Sequence, residues 1–190
     1  MAALVIVIAV LAVASVYGIM VYNGLVGVKH AVTRAWSNID VLLKQRHDEI
    51  PKLVETAKQY KQFEQETLEK VVRARGLVQA AREKQDIGAL GPAESKLRMS
   101  LGALFAVAEA YPELKANESF MQLQNRISQL ENAIADRREL YNEAVNVNNV
   151  RVEQFPDAIV ARMFDFKPAK LLEFDAADKA DVDVHGLFNR

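Results

Sequence analysis

An all-α fold follows from three observations. Gly and Pro are scarce, at 8 and 5 of 190 residues. No Asn-Gly or similar turn separates alternating apolar runs. Apolar residues recur at steps of three and four over long stretches, which is the period of a helix burying one face. The expected architecture is an N-terminal transmembrane helix continuing into an antiparallel helical bundle with two long helices.

The first element is the anchor, residues 1–28. Met1 to Val28 contain no Asp, Glu, Lys, Arg or His, and Leu4 to Tyr22 is almost wholly aliphatic. At about 1.5 Å per residue this run reaches ~30 Å, the thickness of a bilayer hydrocarbon core. Ala12-Val13-Ala14 has the small residues of a signal-peptide cleavage site, but no Lys or Arg precedes the apolar run as such signals require. Lys29, Arg34, Lys44 and Arg46 against Asp40 put the positive flank after the span, so the bundle is expected on the cytoplasmic side of a bacterial inner membrane. The absence of cysteine fits that compartment.

The bundle is expected over residues 29–166. From Trp36, the stripe 39, 43, 46, 50, 53, 57, 60, 64, 67, 71, 74, 78 and 81 stays in phase, apolar except at Arg46, Glu64 and Thr67. One very long helix with a coiled-coil-like seam is the reading, with Pro51 as a kink or as the first position of a closely following helix. Asp86 to Pro92 reads as a loop with Pro92 opening the next helix, whose stripe is Leu97, Leu101, Leu104, Ala108 and Tyr111. Pro112 ends it. Asn117 is placed to cap a second long helix with the stripe 120, 123, 127, 130, 134, 137, 141, 144, 148, 151 and 155, ending at Phe155-Pro156. Asp157 to Phe164 makes a short helix. Residues 167–190 read as an acidic, weakly structured tail: Glu173, Asp175, Asp178, Asp181 and Asp183 face only Lys179 between Leu171 and His185.

Composition removes several kinds of chemistry. A net charge of −1 without a concentrated basic surface argues against nucleic acid. No Gly-rich phosphate loop is present, and without cysteine there is neither a thiol nucleophile nor a cysteine zinc site. A di-metal helical bundle needs Glu-x-x-His pairs, yet Gly27, Lys44 and Val182 stand three residues before His30, His47 and His185. No catalytic, cofactor or metal residue is therefore assigned, and the protein is expected not to be an enzyme. The charged residues on apolar seams should instead pair, as a structural polar cluster of Arg46, Glu64, Glu109 and Arg137, with Asn148 and Arg151 further along. The alternative is that these side chains reach water at the ends of the stripes.

Dispersed blocks carry a resemblance. Tyr22-Asn23-x-Leu25-Val26, Ala35-Trp36-Ser37-x-Ile39-Asp40, Ile50-Pro51-x-Leu53-Val54, Tyr111-Pro112-Glu113-Leu114, Arg137-Arg138-x-x-Tyr141-Asn142 and Phe155-Pro156-x-x-Ile159 occur in order. Together they resemble the LemA family over about Tyr22 to Phe174. The chain departs from the family pattern at Lys52, at Gln59-Tyr60 and at Phe63-Glu64, where relatives carry a His-Glu pair. The resemblance implies an anchored antiparallel bundle without established catalysis. It also implies association with HtpX-type membrane proteases and, in magnetotactic bacteria, with magnetosome membrane formation. The expected function is a membrane scaffold or adaptor in contact with lipid. Ala14 and Gly18, a small-xxx-small pair, would let span helices associate into a homo-oligomer. A ligand-sensing bundle on the outer side and an accessory factor of a membrane protease are the alternatives.

Overall fold

A computed structural model describes residues 1–60 and 63–174. Among these residues there are six helices and no strand: α1 (Ala2–Lys58), α2 (Gln65–Glu83), α3 (Ile87–Ala108), α4 (Pro112–Lys115), α5 (Glu118–Glu153) and α6 (Asp157–Met163). α1 has no break at the expected anchor boundary. The apolar segment and the first bundle helix are one helix, whose N-terminal part is long and apolar enough to cross a membrane.

The chain divides into two units, residues 1–42 with 133–171 and residues 43–132 with the described residues from 172 onward. In the first unit α1 and α5 run antiparallel. Trp36 meets Tyr141 edge-on at 6.1 Å, and Gly24 lies beside Arg151, so advancing along one helix retreats along the other. In the second unit α1 meets α2 through His47 and Arg75, α3 through Arg46 and Glu94, and α5 through Arg46 and Glu131.

Several elements differ from the sequence reading. The stripe from Trp36 to Ala81 is shielded except at Glu64, which is exposed, and it belongs to two helices, because α1 stops at Lys58. No Gly or Pro marks this stop. The amides of Gln59 and Tyr60 bond to Thr56 and Ala57, tightening the last turn from four-residue to three-residue spacing. Aromatic contacts then hold the turn: Phe63 packs on Tyr111 at 5.3 Å, and the Tyr60 hydroxyl accepts a hydrogen bond from Asn117 at 3.1 Å.

Pro51 begins no new helix but lies inside α1. The stretch read as a loop is mostly helix, since Asp86 caps α3 by accepting the Ala89 amide at 3.2 Å and Pro92 falls in its second turn. Gly91 is required there. A Cβ would lie 1.7 Å from the Glu173 carbonyl oxygen, so only glycine lets that backbone cross the helix.

Asn117 caps α5 as read, accepting the Phe120 amide at 3.0 Å. The beginning of the tail departs from the expectation of weak structure. Residues 167–170 form no helix or strand, but they are pinned to α5. The Asn149 side chain accepts from the Ala169 amide at 2.8 Å and donates to its carbonyl at 3.0 Å. Asn148 donates to Lys167 at 3.3 Å, Tyr141 donates to Lys170 at 2.9 Å, and Leu172 is buried. Asp175, Asp178, Lys179, Asp181, Asp183 and His185 lie outside the described residues.

Candidate functional site

Arg46, a buried charged residue of the second unit, lies on the buried stripe of α1 between Leu43 and Ile50. Its Nη2 donates to both carboxylate oxygens of Glu94 on α3, at 2.5 and 2.6 Å, and both side chains are 3% exposed. Its Nη1 stands 4.0 Å from Glu131 Oε1 on α5. Removing two charges from water is costly, and the pair is tolerated because each answers the other at short range. Burial pushes the Glu131 carboxyl above its ordinary value, with Glu94 adding to the rise and Arg46 and Arg98 opposing it.

At the next residue, α1 presents His47 to Arg75 of α2. Arg75 Nε donates to the His47 carbonyl at 3.0 Å, and its Nη2 lies 2.6 Å from His47 Nε2. With guanidinium as the only possible donor in that second contact, the imidazole accepts through Nε2. His47 Nδ1 is buried without a partner. Burial, followed by the Arg75 charge, holds the His47 pKa below 6.5.

The expected cluster of Arg46, Glu64, Glu109 and Arg137 does not form as such. Arg46 is buried and paired, but with Glu94. Glu64 takes the N-cap position of α2 and accepts from the Thr67 hydroxyl at 3.1 Å. Glu109 follows α3 at the surface and pairs with Lys115. Arg137 is exposed because the buried face of α5 steps from Ile134 through Arg138 to Tyr141, Val145 and Asn148, leaving position 137 outside.

Glu94 was missed because reading Pro92 as the helix start puts it in the first turn, where a carboxylate is ordinary. The available signal was that 94 extends the stripe of Leu97, Leu101 and Leu104 by one step. Glu131 similarly sits four residues after buried Ile127 and three before Ile134.

The motif residues fall in different places. Tyr22 is 37% exposed and meets Phe164 and Phe166 edge-on at 4.8 and 5.7 Å. Asn23, Pro51, Pro112 and Phe155 are exposed, while Trp36, Tyr111, Asn142 and Pro156 are half-buried and Tyr141 is buried. Asn148 ties residues 167–170 to α5. Arg151 pairs with buried Asp157 at the start of α6, and Gln154 donates to the same carboxylate at 3.1 Å. Among the described residues no three His, Asp or Glu side chains converge to hold a metal ion.

Fold and geometry define a class: an all-helical protein with a long apolar N-terminal helix and a bundle built around an interior arginine–carboxylate pair. Residues 35–185 match the LemA family, and the chain belongs to that family. Protein LemA of Metamycoplasma hominis is 28% identical over 169 residues, covering 88% of this chain and 75% of that protein. Magnetosome proteins MamQ 1 and MamQ 2 of Paramagnetospirillum magneticum are each 30% identical over 106 residues, covering 54% of this chain and 39% of theirs. The chain thus spans about two fifths of the length of these two relatives.

Proposed function

We propose that this protein is a membrane-anchored helical scaffold, working as a homo-oligomer that presents its bundle to partner proteins on the cytoplasmic side. The observation that carries this reading is the continuity of α1. Ala2 to Tyr17 are exposed and, apart from Ser15, apolar or aromatic, whereas Ile39, Leu43, Ile50 and Leu53 of the same helix are core residues. A helix that is apolar on all sides needs a nonaqueous solvent, and one of this length matches a bilayer. Gly18 supports association: a Cβ there would meet nothing within 4 Å, so the small-residue face with Ala14 stays open to a second span. An HtpX-type membrane protease is the partner class that family analogy suggests.

Alkaline extraction of membranes from cells expressing the full chain tests the anchor, and sedimentation in mild detergent tests the oligomer. The protein should remain in the membrane pellet and then sediment as a multi-subunit particle. Release by alkali overturns the anchor, and a monomer in several detergents and in nanodiscs overturns the oligomer. Labelling of Lys84→Cys by an impermeant thiol reagent tests orientation, with protection in intact spheroplasts expected.

A further inference from the structure

α6 is seated on α1 at a defined height. Val21 and Leu25 bury with Ala161, and Val152, Val160 and Phe166 pack around them. Tyr22 adds its ring contacts to Phe164 and Phe166. Counting from Leu4 at 1.5 Å per residue, Tyr22 falls ~30 Å along the apolar run, at the edge of a bilayer core. Lys29, the first charged side chain, lies about 10 Å further on by the same rise.

The attitude of α6 at this height is fixed from below. Asp157 is buried and takes Arg151 and Gln154 from the end of α5, locking one helix end to the next. Gly24 makes room for that arrangement, since a Cβ would come within 2.7 Å of Arg151 Nη2.

Asp157 and Ala161 turn inward, and the outward side is mainly apolar, with Arg162 on it and the exposed Asp165, paired with Lys167, just beyond the helix. Phe155 is 82% exposed, Ile159 56%, Met163 71% and Phe164 55%. Arg162, also exposed, shares the outward side with Ile159 and Met163 by its three-residue spacing. In water this surface is unfavourable. Beside a helix leaving a bilayer, its aromatic, aliphatic and cationic side chains match the boundary between acyl chains and headgroups.

We infer that α6, with Phe155 and Phe164, is an interfacial lipid-binding element whose outward face enters the bilayer surface beside α1, placing Arg162 among phosphate headgroups. The inference rests on the membrane reading of α1. Its occupant is lipid rather than a second copy because the surface continues, through Tyr22, from the apolar segment that the bilayer itself covers.

The chain has no cysteine, so single-cysteine variants of the full protein report one site each. Ala9→Cys, Met163→Cys and Lys84→Cys are labelled with an environment-sensitive fluorophore and reconstituted into vesicles of zwitterionic and anionic phospholipid. A fraction of the lipid carries a quenching spin label, either near the headgroup or at the end of the acyl chain.

The label at 9 should lose most emission to the deep quencher. The label at 163 should shift to the blue and lose emission chiefly to the shallow quencher, and the label at 84 should lose none. An unquenched label at 9 overturns the membrane reading itself. Quenching at 9 without quenching at 163 overturns the present inference alone, and a blue-shifted but unquenched label at 163 assigns this face to a protein neighbour instead. Ile159→Cys repeats the measurement one turn away, with circular dichroism confirming that each variant keeps its helices.

Discussion

Arg75 supplies His47 with the hydrogen bond that Pro51 cannot. A residue at position 51 would ordinarily donate its amide to the carbonyl of His47, four residues back, but proline has no N–H. Arg75 Nε donates to that carbonyl at 3.0 Å from α2. The proline therefore sits inside α1 at a place where the neighbouring helix satisfies the carbonyl it leaves open.

The same contact makes stability depend on pH. His47 is held below its ordinary pKa of 6.5 by burial and by Arg75, so the unfolded chain binds the proton more readily than the folded one. Its contribution is complete above 6.5 and is lost as pH falls through the lowered folded value. On acidification from about pH 7 to about pH 5, the thermal midpoint of the native protein should fall more steeply than that of His47→Gln, which keeps a neutral acceptor for Arg75. Glu131 acts in the opposite sense, because its raised pKa favours the folded state on protonation. It is common to both proteins, so their difference isolates His47. Parallel pH profiles would show that the imidazole does not couple to folding.

Arg46→Ala leaves Glu94 buried without its cation, and should cost on the order of 3–5 kcal/mol. Replacing both partners by apolar residues, as in Arg46→Met with Glu94→Leu, should recover most of that loss. Urea denaturation of the two single variants and the double variant measures the coupling. Equal losses in all three would mean that packing, not charge pairing, dominates at this position.

Tyr141 is 3% exposed and donates its hydroxyl to the Lys170 carbonyl at 2.9 Å. Tyr141→Phe should cost about 1 kcal/mol by removing that hydrogen bond, and Tyr141→Ala about 3–5 kcal/mol by opening a cavity beside Trp36. Chemical denaturation distinguishes them. The Phe variant should also expose residues 167–170 to faster amide exchange.

Gly91→Ala forces a methyl group into the Glu173 carbonyl, and that segment must shift to admit it. About 1–3 kcal/mol of stability should be lost through overpacking. Limited proteolysis should then cut near Leu172 earlier than in the native protein. Alanine at Gly102, where a Cβ meets nothing within 4 Å, serves as the control and should leave the pattern unchanged.

Much of the helical order is legible in the sequence, because apolar spacing and one asparagine cap are local properties. Asn117 and the stripe from Ile39 to Ala57 illustrate this. The break after Lys58 is not legible, since the stripe crosses it in phase and the turn depends on Tyr111 and Asn117 from distant parts of the chain. The long α5 defeats simple counting at Arg137, where a fixed three-four alternation drifts off the buried face. Pairing partners are harder still. Arg46 announces a need for a carboxylate, but only tertiary packing selects Glu94 over Glu64 and Glu109. The pinning of residues 167–170 was also invisible, because it uses backbone groups that every sequence possesses.

The packing of Val21 against Ala161 has a consequence for how the chain is made. The two residues are 140 positions apart in the chain. At 5–20 residues per second, a ribosome needs roughly 7–28 s to deliver the second after the first. Throughout that interval Val21 and Leu25 await their neighbours on α6. Residence of this turn in the translocation machinery or among lipid headgroups would shelter it, and tie completion of the fold to prior insertion.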